Sequence, residues 1–134
     1  MWLPLTTLFH LGPLWIPHKC MYTPLDPYPT VVLVATGSSF LWHLTGEQVP
    51  ILTVLDYTFA FLWAALDVMY AYAFHDLGTI VQVVYLNLVI ATIHTVHESI
   101  RVQRQRAAYV YNHSLWHLLS ATKCMAVALL LQCH

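Results

Sequence analysis

Charged residues are scarce in this chain of 134 residues, where five basic and six acidic side chains together make up 8%. An ordinary soluble domain carries about 25% charged residues. The scarcity excludes a disordered chain, and a net charge of −1 offers no basic surface for nucleic acid. Apolar residues, in contrast, make up 59%. This balance predicts an integral membrane protein that is surrounded by lipids and has no nucleic-acid partner.

Two further absences concern cysteine pairs and targeting signals. The spacing of Cys20, Cys124 and Cys133 matches no metal-binding pair. Residues 1–30 contain no arginine, and prolines interrupt their apolar runs, so no secretory or mitochondrial targeting pattern is present. Insertion is therefore expected to rely on internal spans. Residues 1–29 predict a short interfacial segment that is followed by an extended, proline-rich lead-in.

Four apolar segments follow, and they predict transmembrane helices rather than strands. The four segments cover approximately residues 30–46, 50–74, 79–97 and 107–132. The fold class is therefore an all-α, multi-pass transmembrane helix bundle of about four spanning helices, in a single membrane domain of residues 1–134. Arginines in the loop 98–106 predict that it lies on the cytosolic side, or on the matrix side of a mitochondrial inner membrane. An endomembrane or plasma membrane stays equally open.

Five polar residues lie at a similar depth in three of these segments: Ser39, His43, Asp56, His113 and His117. At 1.5 Å per residue, Asp56 and His113 each lie about 9 Å inside their segments, and the five share a slab roughly 10 Å thick. Polar groups inside lipid are costly, so a group of them at one level indicates a functional site.

The spacing of these residues suggests metal chemistry. His113 and His117 are four residues apart, which puts their β-carbons about 5–6 Å apart on one helix face. The pair could bind one zinc ion with His43 as third ligand, leaving a position for water. Zinc lowers the pKa of such water to about 7. Asp56 could then act as general base, and Ser39 could donate to the water or to an oxyanion. Membrane histidines also bond to neighbouring helices or hold haem, and these alternatives stay open.

Four other polar residues lie within the predicted spans. Asp67 lies about 25 Å from the start of the second span, and Lys123 lies about 24 Å from the start of the fourth. Both therefore lie at one level on the side away from the arginines, and they are predicted to form a structural ion pair. His94 and His97 end the third span near the level of His43. They could supplement the proposed ligands, or they could contact lipid headgroups.

The polar residues occur in segments that resemble a known family. The segments are Ser39-Phe-Leu-Trp-His43, Leu55-Asp56-Tyr57 and Tyr109-Val-Tyr-Asn-His113-Ser-Leu-Trp-His117. Together they resemble the CREST superfamily, which includes alkaline ceramidases, adiponectin and progestin receptors, and the myomaker and post-GPI-attachment lipase family. The resemblance implies a zinc site at Ser39, His43, Asp56, His113 and His117, and hydrolysis of lipid amides or esters. It covers less than half of the chain, which would be a shortened relative.

Three functions follow from these observations. The first is a zinc-dependent lipid hydrolase, or a relative of one that has lost activity. The second is a non-catalytic accessory subunit of a multi-subunit membrane complex, such as a mitochondrial respiratory complex, because intramembrane charges need neighbours that shield them. The third is a membrane anchor that binds haem or quinone. Metal analysis, co-purification and an absorption spectrum distinguish the three.

Overall fold

The computed structural model describes residues 3–16, 26–102 and 106–132, and every element within these ranges is a helix. The predicted all-α class is thereby confirmed. The arginine side chains of the loop 98–106 lie outside the described residues. The elements are α1 (Leu3–Thr7), a 3₁₀ helix (Leu8–Trp15), α2 (Tyr28–Leu44), α3 (Pro50–Phe74), α4 (Leu77–Val102) and α5 (Arg106–Leu130).

Helix α2 begins earlier than the proline content of the lead-in suggested. The predicted extended lead-in covers residues 17–29, of which 17–25 lie outside the described residues. The helix starts at Tyr28 with Pro29 in its first turn, so the last two residues of the lead-in are helical. Proline is compatible with this position because the first backbone N–H groups of a helix have no intrahelical partner. The side chain of Asp26 accepts one of them, from Tyr28, at 2.9 Å.

Helix α2 ends one residue after His43 because the backbone then enters the left-handed region. Gly46 and Glu47 have φ angles of 69° and 65°. The Glu47 N–H donates to the carbonyl of Trp42 at 2.9 Å, which satisfies a carbonyl that the helix leaves open. The chain then turns back into α3, which has Pro50 in its first turn.

The helices form a ring in which neighbours in sequence are neighbours in space, and residues 3–16 close it by packing against both α2 and α5. Thr7 and His10 are buried there. Gly12 permits the close approach, since a β-carbon at this position would lie 2.5 Å from the Met125 sulfur. The Thr7 hydroxyl donates to the Pro4 carbonyl at 2.6 Å, which satisfies this buried polar group within the segment. That the segment also lies at the membrane interface stays a prediction.

Two of the four predicted spans meet the length and hydropathy of a membrane helix among the described residues. They are Pro50–Phe74 and Leu77–Ser99, and only 11% and 6% of their apolar windows are buried inside the bundle. The core helix of a soluble protein would be mostly buried. Helix α2 has 17 residues, or about 26 Å, which is shorter than a hydrocarbon core of about 30 Å.

Asp76 lies in the tight turn between α3 and α4. Its carboxylate accepts the Thr79 N–H at 2.8 Å and caps α4. This hydrogen bond lowers the pKa of the Asp76 carboxyl. We expect Asp76→Ala to reduce the thermal midpoint by a few degrees, and Asp76→Asn, which keeps an acceptor, to reduce it less.

The contribution of Asp76 should also depend on pH in a defined direction. Because the folded pKa is lowered, the stabilisation is complete above the ordinary aspartate pKa of about 3.9. It is lost as the pH falls through the lowered value. Thermal melts of the wild type and Asp76→Ala should therefore differ at neutral pH and converge in acid. An unchanged difference between the two proteins across this range would contradict the capping role.

Candidate metal centre

Three buried histidines from two helices meet inside the bundle. His43 lies in the last turn of α2, and His113 and His117 lie on one face of α5. The Nε2 atom of His43 is 3.1 Å from that of His113 and 2.9 Å from that of His117. All three side chains are buried, and their possible ligand atoms lie within 4.8 Å of one another. The structure thus brings together the three residues that the sequence suggested as ligands.

Hydrogen bonds between the three imidazole rings do not account for both short contacts to His43 Nε2. The Glu47 carboxylate lies 3.0 Å from His43 Nδ1 and can only accept, so Nδ1 carries a proton, and in the neutral ring Nε2 presents one lone pair. One lone pair accepts one well-aligned hydrogen bond, yet both His113 and His117 contact this nitrogen. A cation that takes a lone pair from each ring fits better. Tetrahedral bonds of about 2.0–2.1 Å place ligand nitrogens ~3.3 Å apart, close to the separations here. The three histidines could therefore bind a metal ion.

Neighbouring side chains hold the rings of His43 and His113 in place. The Tyr109 hydroxyl donates to the same Glu47 oxygen at 2.8 Å. His97 Nε2 contacts His113 Nδ1 at 2.5 Å. On His117, Nδ1 is buried and has no hydrogen-bond partner within the described parts of the chain. Partners of this kind fix the orientation of metal-binding imidazoles.

Ser39 and Asp56 line a cavity together with His113 and His117. The Ser39 hydroxyl lies close enough to the Asp56 carboxylate for the two to interact. A hydroxyl has one hydrogen, so Ser39 cannot donate to a water or an oxyanion while it donates to Asp56, and its predicted role in catalysis stays a prediction. Asp56 presents its carboxylate to the same cavity.

The cavity extends from the histidines through the middle of the bundle and has a volume of about 270 Å³. Phe61 of α3 and Ala91 and Thr95 of α4 line it, and all three are also exposed on the outer surface. The cavity therefore opens sideways, between α3 and α4, and its opening is mainly apolar.

Lys123, which lines the same cavity, belongs to a buried charge pair. Lys123 Nζ lies 3.3 Å from Asp67 Oδ2 and donates to Asn87 Oδ1 at 3.0 Å. The other Asp67 oxygen accepts the Tyr28 hydroxyl at 3.0 Å, and that hydroxyl accepts Trp63 Nε1 at 3.0 Å. Asp67 and Lys123, which were expected to pair, are thus in contact, and the aspartate has no exposed surface.

His94 and His97, considered above as supplementary ligands, lie outside the group of three. His97 instead contacts His113 from behind. His94 Nε2 lies 3.2 Å from the Tyr57 hydroxyl, and its ring packs on Trp116. Neither residue belongs to the cluster that could hold a metal among the described residues.

Three residues near the site were not anticipated. Tyr109 precedes His113 by four residues on α5, so helical spacing could have identified it. Glu47 lies beyond the end of α2 and reaches His43 through a left-handed turn, which helical spacing does not predict. His10 had no such signal. Its ring lies edge-on to that of His117, with centroids 5.6 Å apart, and Nδ1 lies 3.0 Å from the Thr7 carbonyl. Only the insertion of the N-terminal segment brings it there.

Comparison with known proteins adds no relative. No protein-family profile, curated protein or solved structure matches this chain. The function must therefore be argued from the geometry of the site.

Proposed function

We propose that the chain is a zinc-dependent membrane hydrolase that cleaves an amide or ester bond of a lipid. The observation that carries this proposal is the meeting of three buried Nε2 atoms, from His43, His113 and His117, beside the Ser39–Asp56 pair. The resemblance to the CREST superfamily involves the same five residues and implies the same chemistry.

The membrane setting rests on the outer surface of the bundle. Helices α3 and α4 expose large apolar side chains, including Phe61, Tyr72 and Leu77. Soluble monomers rarely expose so much contiguous apolar surface, whereas lipid would cover it. We propose that α2 and α5 also cross the membrane, which makes four spans. The arginines of residues 98–106 would then place the metal centre near the cytosolic or matrix face.

Zinc suits the donor set better than other common ions. Neutral imidazole nitrogens bind zinc tetrahedrally, and three protein ligands leave a fourth position open, as in catalytic sites. A zinc ion held there would supply a Lewis acid and would lower the pKa of water to about 7. Hard ions such as magnesium or calcium prefer oxygen ligands, and the three converging atoms are all nitrogens.

Side chains of the protein would then position the substrate and remove a proton from the attacking water. Asp56 is oriented by Ser39 and borders the cavity, so it can accept a proton from an attacking water. The apolar opening between α3 and α4 allows an acyl chain to enter from the lipid while its carbonyl reaches the histidines. Burial around the site excludes bulk water and strengthens its electrostatic interactions.

The competing functions have weaker support. Asp67 and Lys123 contact each other within this chain, so they do not require another subunit to shield their charges. A porphyrin cannot lie between imidazole nitrogens that are 2.9 and 3.1 Å apart. An accessory subunit would co-purify with a stoichiometric complex, and haem would give a visible absorption spectrum.

The proposal is tested by metal analysis and by a paired substitution at Asp56. Purified wild-type protein in detergent should contain one zinc ion per chain and hydrolyse fluorescent N-acyl or O-acyl lipids. Asp56→Asn should keep the zinc, because Asp56 is not among the three ligands, but should reduce turnover by about 10²- to 10⁴-fold. The same substitution at Asp76, which is far from the site, should change neither. Wild-type protein without zinc would overturn the proposal, and full turnover by Asp56→Asn would remove the role of Asp56.

A further inference from the structure

Glu47 contacts His43 at Nδ1, on the opposite side of the ring from the Nε2 atom that faces His113 and His117. Its Oε1 lies 3.0 Å from Nδ1 of His43, and the two side chains are 19% and 0% exposed. Because a carboxylate only accepts, the contact holds the His43 proton on Nδ1. In this tautomer the lone pair is on Nε2, which faces His113 and His117. A metal ion bound between the three rings requires the lone pair at this position.

The backbone brings Glu47 to this place through an unusual conformation. Glu47 has a φ of 65° although it is not glycine. Such a conformation is disfavoured for residues with a β-carbon and persists where surrounding contacts maintain it. Here the Glu47 N–H bonds to the Trp42 carbonyl, and the turned backbone directs the side chain back toward His43. Residues that hold unfavourable φ angles cluster at functional sites.

A residue of α5 fixes the carboxylate from the other side. The Tyr109 hydroxyl donates to the same Oε1 atom at 2.8 Å. Tyr109 lies one turn before His113 on the same helix. Glu47 therefore connects the end of α2, which carries one ligand, to the helix that carries the other two.

We propose that Glu47 is a positioning residue that sets the tautomer and ring orientation of His43, with Tyr109 holding its carboxylate. The inference rests on the metal centre of the proposed function and extends it to a residue outside the ligand set. Outer-shell partners of this kind change metal affinity by about 10- to 100-fold when they are removed. Glu47 does not contact the substrate in this role.

Zinc affinity provides the test, measured by competition with a chromogenic chelator on the detergent-purified full chain. Glu47→Ala should bind zinc about 10- to 100-fold more weakly than the wild type. Glu47→Gln keeps an oxygen that can accept the Nδ1 proton, so its loss should be smaller. Tyr109→Phe should also lose less than Glu47→Ala. Gln48→Ala, which changes the exposed neighbour in the same turn, is the matched control and should bind like the wild type.

A second readout separates positioning from a general structural role. Cobalt bound in place of zinc gives visible absorption bands that depend on ligand geometry, and these should shift in Glu47→Ala but not in Gln48→Ala. Circular dichroism verifies that the helices are intact, and Glu47→Gln serves if Glu47→Ala does not fold. Zinc affinity within twofold of the wild type and unchanged cobalt bands would overturn the inference. Failure of the wild type itself to bind zinc would instead overturn the proposed function.

Discussion

His117→Ala should remove zinc from the purified protein. The substitution leaves two imidazoles, and we expect affinity to fall by more than about 100-fold, the upper limit for an outer-shell partner. His117 is the most informative ligand to change because its Nδ1 contacts no hydrogen-bond partner among the described residues. The loss can thus be attributed to Nε2. Inductively coupled plasma mass spectrometry and chelator competition measure it directly.

The control for this experiment is the same substitution at another histidine. His75 lies in the turn between α3 and α4, outside the metal centre. His75→Ala should retain one zinc per chain. If His117→Ala retains zinc with wild-type affinity while it stays folded, the three-histidine site is wrong and a different explanation is needed for the clustered imidazoles.

Lys123→Met should produce the largest loss of stability that we expect. Methionine preserves the approximate length of the side chain but leaves the buried Asp67 carboxylate without its cation. Removal of one partner from a buried ion pair costs about 3–5 kcal/mol. Unfolding in a denaturing detergent, followed by circular dichroism, measures the difference in free energy.

A double variant distinguishes pairing from other roles of Lys123. Asp67→Asn combined with Lys123→Met removes both charges and keeps an acceptor for Tyr28. It should recover most of the stability, because a buried pair replaced by neutral groups is often no less stable than the original. Thr122→Val, at an exposed neighbour on α5, is the control for a change on this helix. A double variant as unstable as Lys123→Met would show that the pair does not act as a unit.

The two effects should be independent of each other. His117 and Lys123 are six residues apart on α5, which corresponds to about 9 Å along the axis. Substitutions that are this far apart usually act almost additively, and any coupling between these two would run through His10, which packs edge-on against His117 and interacts with the charge of Lys123. The folded fraction of Lys123→Met should therefore still bind zinc, while His117→Ala should lose zinc without the full loss of stability.

Local sequence features determined the helical class and the axial position of the polar groups. The sequence predicted the four long helices with ends within five residues of those observed, but it did not predict the helical segment Leu3–Trp15. Because an α-helix rises by a constant 1.5 Å per residue, depth could be counted from the sequence. His113 and His117 had to share a face whatever surrounded them, and the level of Asp67 matched that of Lys123. These features depend only on the geometry of one helix at a time.

The tertiary structure decided which faces meet. Counting along an axis does not give the rotation of one helix against another, so contact between His43 and the α5 pair depended on non-local packing. The same packing inserted residues 3–16 between α2 and α5, which a proline-rich composition did not indicate, and carried His10 to the site. Glu47 reached His43 only through a backbone angle that its residue type disfavours. Such an angle is maintained by contacts with distant parts of the chain and has no local sequence signal.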